Sequence, residues 1–240
     1  MQKKATVMKI DSKRSSDLKK FCKNLNISFK KIEILEIAFH HRSISNEKKF
    51  VSNNERLEFL GDSVLGMVTA AYLYKNLENR EGDLAKIKSA VVSEKALSEI
   101  ALTFGIDKLL VLGLGEEKTG GRTKPAILAD CMEAIIGAYY LDSGYKEAEK
   151  YVLSFIVPEI NKVLETGIGQ KDFKSVLQEL SQKLFKALPQ YKLISREGPQ
   201  HAQIFKVSVE INSVVYGPTE GKNIKEAEQK AAKLALDSLQ

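Results

Sequence analysis

Along most of the chain, apolar residues return every three or four positions, the spacing of a helix with one buried face. From Asp17 to about Glu165 strand-like alternation is hard to find. SSDLKKFCKNL, KIEILEIAFHH, the span from Asn54 to Leu77, SEKALSEIALTFG, the span from Ile127 to Tyr140 and YKEAEKYVLSFIV each predict a helix. Gly105 and Gly144 stand where helices should stop. VLGLGEEKTGGRTKPA, which runs into Pro125, reads as a Gly-rich surface loop. After the connector ETGIGQKD the period changes. DFKSVLQELSQKLFKAL is amphipathic, QYKLISREG, AQIFKVSVEIN and SVVYGP alternate with period two, and NIKEAEQKAAKLALDSL returns to helical spacing. An α-β-β-β-α order in about 70 residues predicts a small α+β domain with both helices on one sheet face.

Composition adds limits. The chain has 240 residues, 43% of them hydrophobic and 28% charged, which suits a soluble protein of one or two domains. The longest uncharged run, Ser63–Tyr74, is far short of a membrane span. The amino-terminal residues lack the apolar core of a secretory signal. Two cysteines, Cys22 and Cys131, do not make a disulfide framework, so a cytoplasmic setting is expected. The net charge of +6 is uneven: residues 1–49 carry 13 Lys/Arg against 5 Asp/Glu, while residues 50–171 carry 14 against 18. A basic surplus suits a polyanionic partner or a solvated lysine-rich surface.

The chemistry concentrates in two acidic stripes. In NNERLEFLGDSV, Leu57, Leu60, Val64 and Val68 share one side of a helical wheel, and Glu55, Glu58 and Asp62 share another. In ILADCMEAIIGAYYLD, Asp130 and Glu133 lie three apart, opposite Met132, Ile135, Ile136 and Tyr139 and bordered by the small Ala134 and Gly137. Like charges at these spacings repel, more strongly if desolvated. A solvated helix face is the bland reading of either pair. Both together favour a hard divalent cation, Mg²⁺ or Mn²⁺, because the donors are all carboxylate oxygens without nearby His or Cys. Phe59 falls beside the acids, which suggests a second buried surface: a subunit interface, or another helix of the same domain. His40 and His41 read as structural residues of a different helix, Cys131 as a packing residue, and GLGEEKTGGRTKP as no P-loop, so no nucleotide cofactor is expected. Arg122 and Lys124 in that loop could approach phosphates.

NERLEFLGDSVL resembles the signature of ribonuclease III, and ILADCMEAIIGAYYLD and GDLAKIKSAVVSEKAL resemble that family's other nuclease-domain segments. SVLQELSQ, PQYKLISREGPQHAQIFKVSV and GKNIKEAEQKAAKLAL resemble a double-stranded-RNA-binding domain. The resemblance implies an all-α endonuclease domain at 17–165, a linker at 166–171 and an RNA-binding domain at 172–240, behind a flexible basic tail at 1–16. It implies a homodimer that hydrolyses double-stranded RNA with Mg²⁺, or Mn²⁺ in its place, to 5′-phosphate and 3′-hydroxyl ends with short 3′ overhangs. It implies metal-site roles for Glu58, Asp62, Asp130 and Glu133, a rim position for Glu55 and a dimer contact for Phe59. For RNA it implies Gln178 and Glu179, the loop with Gly198, Pro199 and His201, and a phosphate clamp of Lys222, Asn223 and Lys225. Ile224 replaces a lysine usual in that clamp. Processing of ribosomal and other structured RNA precursors would follow.

Overall fold

The structure is a computed structural model and describes residues 10–47, 52–166, 173–199 and 203–239. It divides into two compact units, Met1–Gly169 and Gln170–Gln240.

The first unit is helical: α1 Ser12–Asn24, α2 Ile32–Ala38, α3 Arg42–Glu47, α4 Glu55–Asn76, α5 Glu81–Val91, α6 Glu94–Thr103, α7 Leu114–Lys118, α8 Pro125–Ser143 and α9 Tyr145–Glu165. Helix α8 is its axis, packed against α2, α4, α6 and α9. Its sequence makes it so: from Ile127 to Tyr139 all but Asp130 and Glu133 are buried, and a helix apolar nearly all round must be surrounded. Leu128, Met132, Ile135 and Ile136 show no exposed surface, and each contributes roughly 1.5–3 kcal/mol of burial. Local signals place the ends. Asp11 caps α1 by accepting from Arg14 N, Ser93 caps α6 by accepting from Ala96 N, and Pro125 opens α8. After α6 the chain turns at Gly105, whose φ of +72° costs glycine little.

The second unit consists of α10 Phe173–Phe185, β1 Gln190–Glu197, β2 Ile204–Ile211, β3 Val214–Gly221 and α11 Ile224–Leu239, with an antiparallel sheet in the order β1-β2-β3. Val209 and Ile211 on the central strand meet Leu177 of α10 and Ala231, Ala232, Ala235 and Leu236 of α11 in one core. The alanines of α11 keep that helix close to the strands. The fold is thus an all-α domain followed by α-β-β-β-α.

Several boundaries differ from expectation. The tail expected at 1–16 is helical at its end: α1 begins at Ser12, and Arg14 bonds Glu36 at 2.7 Å, while residues 1–9 lie outside the described residues. His40 and His41 are not helical, because Phe39–His41 pair with Val111 as a short parallel bridge that takes their backbone groups. GDLAKIKSAVV, which the period alone did not mark, forms α5. The Gly-rich loop contains α7 and is latched: Arg122 grips Glu117 through Nε and Nη2, both at 2.7 Å, and the Asp107 and Leu110 carbonyls through Nη1. β3 continues past Pro218 to Gly221. Pairing shifts there from Val209–Tyr216 to Val207–Thr219, so the ladder asks no N–H of proline.

Candidate active site

Helices α4 and α8 form the most extensive contact in the helical unit, and they touch at glycines. A Cβ on Gly61 would run into the Glu133 carbonyl and one on Gly137 into the Leu57 carbonyl. The small residues beside the second acidic stripe therefore admit the α4 backbone. Since Glu133 and Gly61 lie at this crossing, the two stripes face a common region.

The electrostatics confirm the proximity. The Glu133 carboxyl is pushed up to about 8, first by burial and then by Asp62, Glu58 and Asp130. Glu58 is raised by burial, then by Asp130 and Glu55, and Asp130 is raised by burial. Asp62 and Glu55 are exposed, while Glu58, Asp130 and Glu133 are half-buried. Four carboxylates from two helices thus share one field. Among the described residues, no three His, Cys, Asp or Glu side chains stand at the spacing of a ready-made coordination shell. The backbone brings the acids into mutual range without drawing the carboxylates to a point. A hard cation fits this donor set: the oxygens are all carboxylate, the neighbouring acids raise Glu58 and Glu133, and the excess is negative.

One positive group near the acids escaped the sequence reading. Arg42, the first residue of α3, comes within 4.0 Å of Glu55 and lowers both Glu58 and Asp130. It lies 13 positions before Glu55, so no single wheel could reveal it. Lys124 is engaged with Glu116 at 2.6 Å, and Arg122 with its latch, so neither is held in reserve for phosphate. Together with His41, Asn54 and the acids Glu58 and Asp130, Arg42 and Lys124 line an open groove of about 440 Å³. Cys131 is fully buried and donates to the Ala38 carbonyl.

Phe59 is 78% exposed on α4, as Met67 and Tyr74 of the same helix are also exposed. Among the described residues, no helix of its own domain covers it.

In the second unit Gln178 and Glu179 lie exposed on α10, beside Ser175, Gln182 and Leu188 in an open groove. Gly198 and Pro199 are exposed just beyond β1, and His201 lies outside the described residues. At the start of α11 Lys222, Asn223 and Lys225 are exposed. The Asn223 side chain is already used as a cap, accepting from Glu226 N at 2.8 Å, while Glu226 accepts from Lys222 N at 3.0 Å. Ile224 is only partly exposed.

Comparison with known proteins shows the family of each unit. Residues 31–160 match the ribonuclease-III-like family and residues 173–239 the double-stranded RNA binding motif. Ribonuclease 3 of Treponema denticola is 55% identical over 96% of this chain and 94% of its own length. Ribonuclease 3 of Borreliella burgdorferi is 43% identical over 100% of this chain and 98% of its own. The solved nuclease domain of ribonuclease III from Campylobacter jejuni, which has a region involved in dimer formation, superposes with a TM-score of 0.55. It is 39% identical and covers 59% of this chain and 97% of that one. The chain belongs to the ribonuclease III family: it is an endoribonuclease with an all-α nuclease domain and a double-stranded-RNA-binding domain.

Proposed function

We propose that this endoribonuclease hydrolyses double-stranded RNA at the α4–α8 acidic site with Mg²⁺, or Mn²⁺ in its place, held by Glu58, Asp62, Asp130 and Glu133. The observation that carries the reading is the shared field of those four carboxylates, with Glu133 raised to about 8 by burial and by the other three. Bound there, the divalent ion supplies water activation and charge neutralisation at the phosphoryl and leaving oxygens. The protein's part is to hold its oxygens on two helices whose separation is set by glycines. Asp62 and Glu133 stand nearest the reaction, and Glu55, exposed and near Arg42, forms the rim. The products are 5′-phosphate and 3′-hydroxyl ends with short 3′ overhangs.

An acidic site repels a polyanion, so affinity must be supplied elsewhere. We assign it to the domain at 172–240, joined by the 166–171 linker to the nuclease domain at 17–165. Gln178 and Glu179 would meet one minor groove and the Gly198–His201 loop the next. Lys222, Asn223 and Lys225 at the start of α11 would meet the intervening phosphates. The enzyme acts as a homodimer in which the exposed Phe59 enters the partner and each subunit cuts one strand. Exposure of Phe59 and the dimer-forming region of the Campylobacter relative support this. The absence of any helix able to cross a membrane among the described residues is compatible with cytoplasmic processing of ribosomal and other structured RNA precursors.

A long perfect duplex incubated with Mg²⁺ and with EDTA tests the reading. Cleavage is expected only with Mg²⁺, and Glu133→Gln should bind the duplex without cutting it. Full turnover by Glu133→Gln would overturn the site.

A further inference from the structure

Beneath the start of α4 lies a buried charged chain of residues that the proposed chemistry does not use. Arg14 of α1 donates through Nε to Glu36 Oε2 at 2.7 Å. Glu36 Oε1 meets His40 Nε2 at 3.1 Å, and His40 Nδ1 meets the Ser52 carbonyl at 3.1 Å. Glu36 is 5% and His40 1% exposed.

The proton on Nδ1 follows from its partner. A backbone carbonyl only accepts, so Nδ1 must donate. Glu36 is flanked by His40 and Arg14, whose hydrogen bonds hold its carboxyl below the usual range against burial. Nε2 faces the carboxylate that Arg14 also holds, so the ring is clamped between Glu36 on one side and the Ser52 carbonyl on the other.

The connection to the acidic site is covalent and short. His40 grips the chain twice just before α4: its ring holds the Ser52 carbonyl, and its own carbonyl accepts from Asn54 N at 2.9 Å. Asn54 in turn accepts from Glu58 N at 2.9 Å in the first turn of the helix. On the other side, the flanking backbone is pinned to Val111 by Val111 N to the Phe39 carbonyl and His41 N to the Val111 carbonyl.

We infer that His40 is a positioning residue, whose ring, held by Glu36 at Nε2 and bonded through Nδ1 to the Ser52 carbonyl, fixes the Ser52–Asn54 segment and so the first turn of α4 that carries Glu55 and Glu58. It touches neither substrate nor metal. The inference rests on the proposed role of the acidic site, and its test separates the two.

The first arm uses the wild-type protein. In ¹⁵N-histidine NMR of the full chain, Nδ1 of His40 should carry a proton, as its bond to the Ser52 carbonyl requires; an unprotonated Nδ1 would overturn the assignment. The second arm compares variants of equal helicity and RNA affinity. His40→Phe keeps the ring volume but removes both ring nitrogens, so kcat should fall at least about tenfold with KM unchanged. Amide exchange at Asn54 and Glu58 should quicken. Glu36→Gln still offers Nε2 a hydrogen-bonding partner while Nδ1 donates to the Ser52 carbonyl, so kcat should stay within about threefold of wild type. Glu36→Leu provides no such partner and should behave like His40→Phe. His40→Phe with wild-type kcat and unchanged amide exchange would sink the inference. Glu133→Gln run alongside reports on the acidic site itself: its turnover would refute that site and leave the NMR result standing.

Discussion

Replacing Gly61 by alanine tests whether the α4–α8 crossing sets the geometry of the acids. In an ordinary helix this change stabilises, by about 1 kcal/mol, because alanine is the better helix former. Here the new methyl would fall on the Glu133 carbonyl oxygen, with Glu133 C at 2.6 Å and Gly137 N at 2.9 Å. Ordinary contact begins near 3.4 Å. The carbonyl carbon must therefore retreat by about 0.8 Å and the amide nitrogen by about 0.5 Å, and both are backbone atoms of a buried helix that cannot rotate away. Overpacking of this kind costs roughly 1–3 kcal/mol and more when backbone is displaced, so a net loss of about 2 kcal/mol is expected after the helix gain. For a domain of this size that lowers Tm by roughly 4–8 °C. The displaced atoms include the residue that bears one of the acids, so Mg²⁺ affinity should fall as well. Scanning calorimetry with and without Mg²⁺ reads both effects. An unchanged or raised Tm in Gly61→Ala, with Mg²⁺ stabilisation intact, would refute the crossing as the determinant.

The Glu133 carboxyl, at about 8 in the folded chain against an ordinary 4.5, binds a proton more tightly folded than unfolded. Metal-free protein should therefore lose stability as pH rises from about 4.5 to 8, and Glu133→Gln should abolish that slope. Full conversion of the shift approaches 5 kcal/mol, but solvent reaches the group, so about 1–2 kcal/mol is expected by urea denaturation across pH. A wild-type slope equal to that of Glu133→Gln would count against it. Phe59→Ala should weaken the dimer by about 2 kcal/mol per copy, hence roughly a thousandfold in dissociation constant, by sedimentation equilibrium; no change would remove Phe59 from the interface. Ile224→Lys should add a phosphate contact and steepen the log–log salt dependence of duplex binding by about 0.9, whereas an unchanged slope would mean position 224 does not reach the RNA.

The nuclease helices were legible because each acidic stripe lies opposite an apolar one within a single helix, so Leu57, Val64 and Val68 declare their face unaided. The three strands were legible by alternation, as at Val207, Val209 and Ile211, all buried. What a one-dimensional pattern cannot hold is contact between distant segments. The apolar spacing of KIEILEIAFHH runs through His40, yet pairing with Val111 ends the helix at Ala38. Glycines in GEEKTGGRTKP suggested a loose loop, whereas Arg122 ties it to two carbonyls and a carboxylate. Gly137 stood out in the sequence only as a small residue beside the acids, and what it admits is the backbone of α4. Arg42 joined the acids only through folding.

The central claim is that four carboxylates from α4 and α8 hold one hard cation site. Crystals grown without metal, soaked in Mn²⁺ and measured for anomalous scattering, test it most directly. The account predicts an anomalous peak bounded by Glu58, Asp62, Asp130 and Glu133, lost in Glu133→Gln. Manganese bound elsewhere, with these side chains turned to solvent and no peak between the helices, would contradict it.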